Sequence, residues 1–364
     1  MALYPGSENE TRIPLGVLDR AVMHIFEACG MNEEAARAVT RSLVDADTRG
    51  IHSHGVLRVP DYVAKLTEEG VDPKGEPRLV SDAGAALVVD GANNLGAVAM
   101  TFAMEKAIER ARDVSVAVAA VRGSNHCGTM ELYARMALEA GMIGLAGTNA
   151  LPTMAPWGGR DKIVGINPLG VAIPGGEMGD FVLDIAFGQT AHGKIRVFAQ
   201  KGEPIPPDWA FDTQGNPTTD AVAALDGLIR PIGAHKGVGL GMAIGMISAL
   251  LSGGAYGLET GNMVDGPKPG VDSHFVMAVN IAAFQDLDAV RSRVDGILRE
   301  MRQSRPAAGT DRLFTPGEIE AGLEVTYRRD GIPLNDATLA DILKMADKVG
   351  ADVSELTSIT GPIA

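Results

Sequence analysis

The chain has 364 residues, of which 46% are hydrophobic, and a formal net charge of −14 at pH 7. This length can bury a substantial core and predicts an enzyme-sized protein of two or three subdomains. The acidic balance, with no run of Lys and Arg, argues against nucleic acid as a partner. Two cysteines are too few for a disulfide framework and the N-terminus has no signal-like apolar run, so we expect a cytoplasmic protein.

The first seventy or so residues predict helices. Gly30 ends one apolar repeat, Asn32 is a good cap for the next, and Pro60 suits the first turn of a third helix. These signals predict helices over 14–29, over 32–49 and from about 59 to 70.

Apolar strands and helices alternate from residue 86 onward. The order of strand, helix, strand, helix and strand is a βαβαβ pattern, which is typical of α/β proteins. The predicted elements are a strand at 86–90, a helix at 97–112, a strand at 114–121, a helix at 129–140 and a strand at 143–148.

The second half of the chain begins after Pro152. Frequent Pro, Gly, Asp and Thr over 201–220 predict a surface loop. The stretch 237–258 has no charge and is long enough to span a membrane, but its many glycines favour a buried core helix at about 236–251, and we expect no membrane. The remaining predictions are strands at 170–174, 181–185 and 274–284, and helices at 286–304 and 334–348.

The segment His52-Ser-His-Gly-Val-Leu-Arg58 concentrates groups that suit acid–base chemistry. His54 can exchange a proton near neutral pH in either direction. Arg58 has a permanent charge and a planar fork of donors that matches a carboxylate. We therefore expect His54 to move a proton and Arg58 to bind an acid substrate.

Two other interpretations of this segment remain open. On a β-strand, His52 and His54 would share one face and could hold zinc in a hydrolase. In a structural interpretation, the histidines cap a turn and Arg58 lies on a solvated face. The acid–base interpretation, which we prefer, needs no metal site.

The segment Ser124-Asn-His-Cys-Gly128 follows an apolar strand and opens a predicted helix. Its backbone N–H groups and the helix dipole could hold a phosphate or an oxyanion. The alternative is a plain turn in which His126 bonds a carbonyl. Cys127 beside His126 could suggest a thiol nucleophile, but adjacent residues seldom meet in a helix and no base-orienting partner is evident.

Asp184 lies in the apolar strand 181–186, so its carboxylate must be paired if it is buried. We expect an imidazole partner, with local backbone as the alternative. Lys236 precedes the glycine-rich helix, where its charge suits a ribose hydroxyl or a diphosphate, and a surface lysine is the alternative. No Gly-x-Gly-x-x-Gly fingerprint joins a strand to a helix, so the usual dinucleotide fold is not expected.

Seven segments occur in the order found in the malate/L-lactate dehydrogenase type-2 family, which includes ureidoglycolate, sulfolactate, 2,3-diketogulonate and piperideine-2-carboxylate oxidoreductases. The chain resembles that family over nearly its whole length. The segments are His52-Ser-His-Gly with Arg58, Ser124-Asn-His-x-Gly128, Ala155-Pro-Trp-Gly-Gly159, Gly165-x-Asn-Pro168, Asp184, His235-Lys-Gly237 and Pro316-Gly-Glu318.

The resemblance implies an α/β fold with a mixed sheet that binds NAD or NADP without a Rossmann domain, as in proteins of the sulfolactate dehydrogenase type. It implies a helical N-terminal subdomain at 1–80 that packs with C-terminal helices at 310–364, and an NAD(P)-binding domain at 81–309. The family commonly forms dimers, which implies a homodimer with its sites near the subunit boundary.

Carried over by position, the resemblance also implies roles for individual residues. His54 exchanges the proton at the substrate oxygen in a relay with Ser53 and Asp184, while Arg58 and Thr148 bind the substrate. Many relatives carry an aromatic residue where this chain has Cys127, which leaves the size of the pocket open. Cofactor contacts are implied for His126, Cys127, Gly128, Thr129, Met130, Asn149, Asp184, Ile185, Ala186, His235, Lys236 and Gly317.

The residues and the resemblance together predict an NAD(P)-dependent oxidoreductase that transfers a hydride to or from C2 of a small 2-hydroxy or 2-oxo acid, such as malate, lactate or ureidoglycolate. Reduction of a cyclic imine acid, a piperideine- or pyrroline-2-carboxylate, needs the same hydride, proton and carboxylate anchor and is the main alternative. From other classes, a zinc hydrolase and a non-catalytic acid-binding protein remain.

Overall fold

The computed structural model describes residues 10–68, 70–261 and 271–360. The three helices predicted near the N-terminus are confirmed, with Asn32 accepting from Ala35 N as the cap of the second. Two short 3₁₀ turns, His52–His54 and Val56–Arg58, connect the second helix to the third. In chain order, the elements of the first half are β1 (Thr11–Ile13), α1 (Leu15–Ala28), α2 (Glu33–Thr48), α3 (Val59–Thr67), β2 (Arg78–Ala83), β3 (Ala86–Asp90), α4 (Gly96–Val114), β4 (Val116–Ser124), α5 (Met130–Met136) and β5 (Met142–Thr148).

The second half contains more short elements than the sequence predicted. The segment 201–220 is not a plain loop, because it contributes two short strands to a small three-stranded sheet, and a helix at His192–Lys201 was not predicted. The elements are β6 (Pro152–Met154), β7 (Val164–Gly165), β8 (Leu169–Ile173), β9 (Phe181–Ile185), α6 (His192–Lys201), β10 (Ala210–Phe211), β11 (Pro217–Thr218), α7 (Ala221–Asp226), β12 (Leu228–Ile229), α8 (His235–Ser252), β13 (Asp272–Asn280), α9 (Leu287–Arg302), α10 (Glu318–Asp330), β14 (Ile332–Leu334), α11 (Asp336–Val349) and α12 (Ser354–Thr360).

A mixed seven-stranded sheet with the order β2-β3-β4-β13-β5-β8-β9 forms the centre of the molecule. The predicted βαβ step is present, because β3 and β4 are parallel and α4 lies between them in the chain. The next strand, β5, is not a neighbour of β4, because β13 lies between them and is antiparallel to both. The fold is therefore mixed α/β, and β13 ends at Asn280, before the predicted boundary at 284.

One apolar core joins the helices at the two ends of the chain. Phe26 on α1 and Tyr62 on α3 belong to the same buried cluster as Ile342 on α11 and Leu356 on α12. The strand β1 also pairs antiparallel with β14, with Ile13 opposite Ile332. The helices that carry the 52–58 segment are thereby held by the C-terminal part of the chain.

Helix α8 matches the predicted position but not the predicted burial. Its buried residues are mostly small, including Gly241, Gly245 and Ala249, and they face the sheet. By length and composition α8 is also the one helix of the described residues that could cross a membrane. Five of its large apolar side chains are exposed and form an outer stripe of α8, which consists of Leu240, Met246, Ile247, Leu250 and Leu251.

Candidate active site

A cavity of about 470 Å³ lies where the N-terminal helices meet the edge of the sheet. This volume is within the range of small-molecule and cofactor sites. Its walls include the 51–54 turn after α2, the 128–131 turn that begins α5, the strand β9 and the 316–320 turn that begins α10. The predicted site residues that line it are Ser53, His54, Gly128, Thr129, Met130, Asp184, Ala186 and Gly317.

His54 lies in this cavity with one ring nitrogen already bound. Its Nδ1 is hydrogen-bonded to Ser53 Oγ at 2.9 Å. Burial, with a smaller contribution from the Arg58 charge, lowers the pKa of His54 to about 4. The ring is therefore neutral at pH 7, and Nε2 is the nitrogen left for exchange with a ligand.

His126 stacks beside His54, with 5.7 Å between ring centroids and 17° between ring planes. Tyr62 on α3 is hydrogen-bonded to His126 Nδ1 at 2.7 Å. Burial raises the pKa of Tyr62, so its hydroxyl stays protonated and donates to Nδ1. Burial and then the neighbouring His54 and Arg58 hold the pKa of His126 well below its usual value, which leaves two neutral imidazoles side by side.

Asp184 is paired with backbone, which corrects the expected imidazole partner. Its Oδ2 accepts from Met130 N at 2.8 Å and from Glu131 N at 3.0 Å, at the start of α5. These two amides are therefore not available to a phosphate, and the predicted anion site on the backbone N–H groups of Ser124–Gly128 stays a prediction. Burial raises the pKa of Asp184 to about 7, although the two N–H donors oppose the shift.

Asp47 is a site residue that the sequence analysis missed. Its buried carboxylate accepts from Val56 N at 2.6 Å and is paired with His52 Nδ1 at 2.7 Å. A Cβ at Gly55 would overlap this carboxylate, so only glycine fits there. Asp47 lies five residues before His52, near the end of α2, and an acid near a helix C-terminus opposes the helix dipole, which was the available signal.

Arg58 lies beside the cavity and does not line it. Its Nε donates to Ser53 O at 2.8 Å, and its Nη1 is 3.2 Å from Asp61 Oδ2. The first bond ties the guanidinium to the backbone next to His54. A Cβ on Gly193, near the start of α6, would lie 3.6 Å from Nη2 of Arg58.

Thr148, Asn149 and Cys127 do not line the cavity, because their polar groups bind other residues between β4, β13 and β5. Thr148 Oγ1 is 2.6 Å from His274 Nδ1, and Cys127 Sγ is 3.7 Å from the same nitrogen. Asn149 Oδ1 accepts from Ser273 N at 2.9 Å. Burial raises the pKa of Cys127 well above its usual value, which disfavours a thiolate nucleophile.

Four further predicted cofactor residues also lie outside the cavity lining, and His126, which stacks on His54, is one of them. Ile185 is absent from the lining although its neighbours Asp184 and Ala186 are part of it. His235 and Lys236 are exposed at the start of α8, where the His235 ring is 6.3 Å from that of Trp157.

The cavity has features that fit a polar organic ligand. Thr129 Oγ1 is buried without a hydrogen-bond partner among the described residues. Gly317 has a φ of +84°, and a Cβ there would lie 2.7 Å from Val182 Cβ, so this wall requires glycine. A Cβ at Gly128 would lie 2.6 Å from Ser42 Oγ. These residues fit a nicotinamide cofactor.

The two histidines of the zinc hypothesis bind different partners, His52 to Asp47 and His54 to Ser53. Over 10–68, 70–261 and 271–360, no group of three or more His, Cys, Asp and Glu side chains is arranged to hold a metal ion. This geometry gives the zinc hydrolase interpretation no support.

Comparison with known proteins agrees with this geometry. L-sulfolactate dehydrogenase of Methanocaldococcus jannaschii is 35% identical over 98% of this chain and 99% of its own. Malate dehydrogenase of Pyrococcus abyssi is 34% identical over 94% of this chain and 96% of its own. The Delta(1)-pyrroline-2-carboxylate/Delta(1)-piperideine-2-carboxylate reductase of Pseudomonas putida is 30% identical over 94% of this chain and 98% of its own.

The fold agrees as well. The solved structure of sulfolactate dehydrogenase from Methanocaldococcus jannaschii superposes with a TM-score of 0.88 over 94% of this chain and 99% of that one, at 33% identity. The family model described as malate/L-lactate dehydrogenase matches residues 13–343. The chain therefore belongs to the malate/L-lactate dehydrogenase family.

Proposed function

We propose that this protein is an NAD(P)-dependent oxidoreductase that transfers a hydride between nicotinamide and C2 of a small 2-hydroxy or 2-oxo carboxylic acid. The observation that carries the proposal is that the Ser53–His54 pair lines the same cavity as Thr129, Asp184 and Gly317. When bound, the nicotinamide supplies or accepts the hydride, and the protein must then move one proton at the substrate oxygen.

His54 is suited to that proton transfer. Because Ser53 holds Nδ1, Nε2 is the atom that takes the proton from the C2 hydroxyl in oxidation and returns it to the C2 oxygen in reduction. The neutral ring is the form required in oxidation. A substrate carboxylate beside Arg58 would offset the cation that helps to keep the pKa of His54 low, so substrate binding favours protonation of the ring.

The remaining cavity residues would hold the substrate and cofactor. Thr129 would donate its buried hydroxyl to a polar ligand atom, and Gly317 would contribute backbone to the wall around the ligand. Asp184 fixes the start of α5 against β9 and thereby shapes the wall between them.

The cofactor would bind a fold that differs from the Rossmann domain. In support, β13 and β8 run antiparallel to β5 in the sheet, and no glycine-rich fingerprint follows a strand. We propose a helical subdomain at 1–80 with the helices of 310–364, an NAD(P)-binding domain at 81–309, and a cytoplasmic location.

Reduction of a cyclic imine acid is the second candidate, because one relative is named as a pyrroline- and piperideine-2-carboxylate reductase. A C=N bond accepts a hydride at carbon and a proton at nitrogen, so His54 and Arg58 would serve in the same way.

A substrate screen tests both candidates. Purified protein is mixed with NADH or NADPH and a panel of 2-oxo acids and cyclic imine acids, and cofactor oxidation is followed by absorbance. We expect turnover of at least one class that His54→Ala abolishes. Absence of cofactor oxidation across the panel, with the reverse reaction also silent, would reject the proposal.

We also propose that the protein is a homodimer that buries the outer stripe of α8. Leu250 is 75% exposed and Leu251 is 55% exposed, and an apolar stripe of this kind on one helix is typical of a subunit interface. Light scattering of Leu250→Glu should show a monomer, whereas the control Val325→Glu, at an exposed position on α10, should keep the wild-type mass. A monomeric wild-type protein would contradict this proposal.

A further inference from the structure

Arg49 lies outside the cavity lining and connects three of the cavity walls. The residue follows the last turn of α2 and is 3% exposed. It does not line the cavity itself, but Ile51, Ser53 and His54, which do, follow it in the chain. Its main chain therefore leads directly into the wall that carries the proposed proton carrier.

The side chain of Arg49 reaches the second wall through Glu131 on α5. Its Nε donates to one oxygen of the Glu131 carboxylate, and its Nη2 donates to the other at 3.3 Å. Glu131 is 2% exposed and lines the cavity, and its own N–H donates to Asp184 at 3.0 Å. A two-pronged contact of this kind fixes angle as well as distance.

The third wall is reached through Glu324 on α10. Nη1 of Arg49 donates to Glu324 Oε2 at 3.0 Å. The helix α10 begins directly after Gly317, and Glu320 on its first turn lines the cavity. One buried cation therefore bonds to α5 and α10 and is covalently continuous with the 51–54 turn.

We propose that Arg49 is a positioning residue, which sets the spacing of these three walls and so the distance between His54 and the substrate atom that exchanges the proton. The expected effect on turnover rests on the proposed function, whereas the expected effect on the spacing of the walls rests on the contacts alone. A misplacement of about 1 Å at a reacting group can cost on the order of 100-fold in rate, so the loss of this link should reduce turnover.

The chain offers a matched control in Arg328. This arginine also pairs with Glu324, at 2.9 Å, but it is 53% exposed and has no contact with Glu131 in the part of the chain described. Arg328→Met removes the same charge from the same carboxylate and leaves the link between α2 and α5 intact. Arg49→Lys keeps the charge but lacks the planar fork that bonds both glutamates at once.

The test compares Arg49→Met, Arg49→Lys and Arg328→Met with the wild type. We expect Arg49→Met to lower kcat per folded molecule by at least about tenfold while cofactor affinity, measured by fluorescence, changes by less than about threefold. Arg49→Lys should recover most of the lost melting temperature and less than half of the lost turnover. Arg328→Met should remain within about twofold of wild type in kcat.

Hydrogen exchange supplies a readout that does not depend on activity. In Arg49→Met, amides of 50–56, 128–131 and 317–320 should lose protection together, and in Arg328→Met they should not. Equal turnover per folded molecule in Arg49→Met and Arg328→Met, or unchanged protection in Arg49→Met, would overturn the inference. If the wild type turns over no acid, the proposed function fails, and the exchange data alone decide the role of Arg49.

Discussion

The predicted site residues divide into two regions that behave differently. In the cavity region, Ser53, His54 and Thr129 lie on turns at helix ends and face open volume. In the strand region, Thr148, Asn149 and Cys127 lie beside β13 and bond to His274 and Ser273. Both sets are polar and both were implied by the same resemblance.

The difference between the two regions shows where polar side chains remain available for chemistry. Between paired strands no water can enter, so each polar side chain must find a partner inside the protein or destabilise it. On a turn before or after a helix, backbone and side-chain groups can instead face a cavity. Four substitutions test this division, in order of decreasing expected effect.

His54→Ala should have the largest effect, because it removes the proposed proton carrier from the cavity region. We expect kcat to fall by about 10²- to 10⁴-fold, while cofactor affinity stays near wild type. Steady-state kinetics and a fluorescence titration measure the two quantities. His24→Ala is the control. His24 lies on α1, and its exposed ring is hydrogen-bonded to the backbone oxygen of Asp352. Unchanged turnover in His54→Ala would show that the cavity region does not take part in the reaction.

Arg58→Met should raise KM for carboxylate substrates by about tenfold to a hundredfold, because the proposed charged hydrogen bond to the substrate would be lost. It should also change the pH profile. The Arg58 cation contributes, after burial, to lowering the pKa of His54 to about 4. Its removal makes protonation less costly, so the pKa of His54 rises and the acid limb of kcat/KM for oxidation moves to higher pH. A profile shifted to lower pH would contradict the assigned sign.

Thr148→Val should act on stability and not on catalysis. The Thr148 hydroxyl is 2.6 Å from His274 Nδ1 and lies within reach of the Asn149 and Ser273 carbonyls. Its loss removes the short hydroxyl contact of the buried His274 Nδ1, which costs about 1–3 kcal/mol of unfolding free energy. Denaturant unfolding measures this change, with Thr326→Val on the surface of α10 as the control. A large rise in substrate KM without destabilisation would contradict this and support a substrate-binding role for Thr148.

Cys127→Ala should have the smallest effect. The thiol is buried and its pKa is raised well above the usual value, so it does not act as a nucleophile. We expect a loss of about 1 kcal/mol in stability and turnover within about twofold of wild type. Cys29→Ala is the matched control, since burial raises the pKa of Cys29 to about 11 as well. Loss of activity in Cys127→Ala alone would reopen the thiol hypothesis.

The sequence was sufficient for features that depend on neighbouring residues. Asn32 caps α2 as predicted, and α8 begins and ends within one residue of the predicted span. The resemblance identified the family, and the three residues that it grouped in a relay, Ser53, His54 and Asp184, line one cavity in the structure.

Features that depend on distant partners could not be obtained in this way. A strand such as β13 carries no local sign that its neighbours will be β4 and β5, so the βαβαβ pattern gave the directions of the strands and not their order. The predicted partner of Asp184 was wrong for the same reason. The partners are the backbone amides of Met130 and Glu131, and because almost every residue has such an amide, the sequence does not mark these two. Asp47 lies in the last turn of the charged helix α2 and Arg49 follows that turn, and only the fold shows that both are buried.

The place of β13 in the sheet has a consequence for how the molecule is synthesised. A ribosome that has added residue 150 has synthesised β4 and β5, but the strand that must join them is encoded at Asp272–Asn280. During that interval the nascent chain carries two strand edges that cannot pair with their final neighbour. Unpaired edges of this kind favour aggregation. Chaperone protection during translation should therefore matter more for the yield of this protein than for one whose strands pair in chain order.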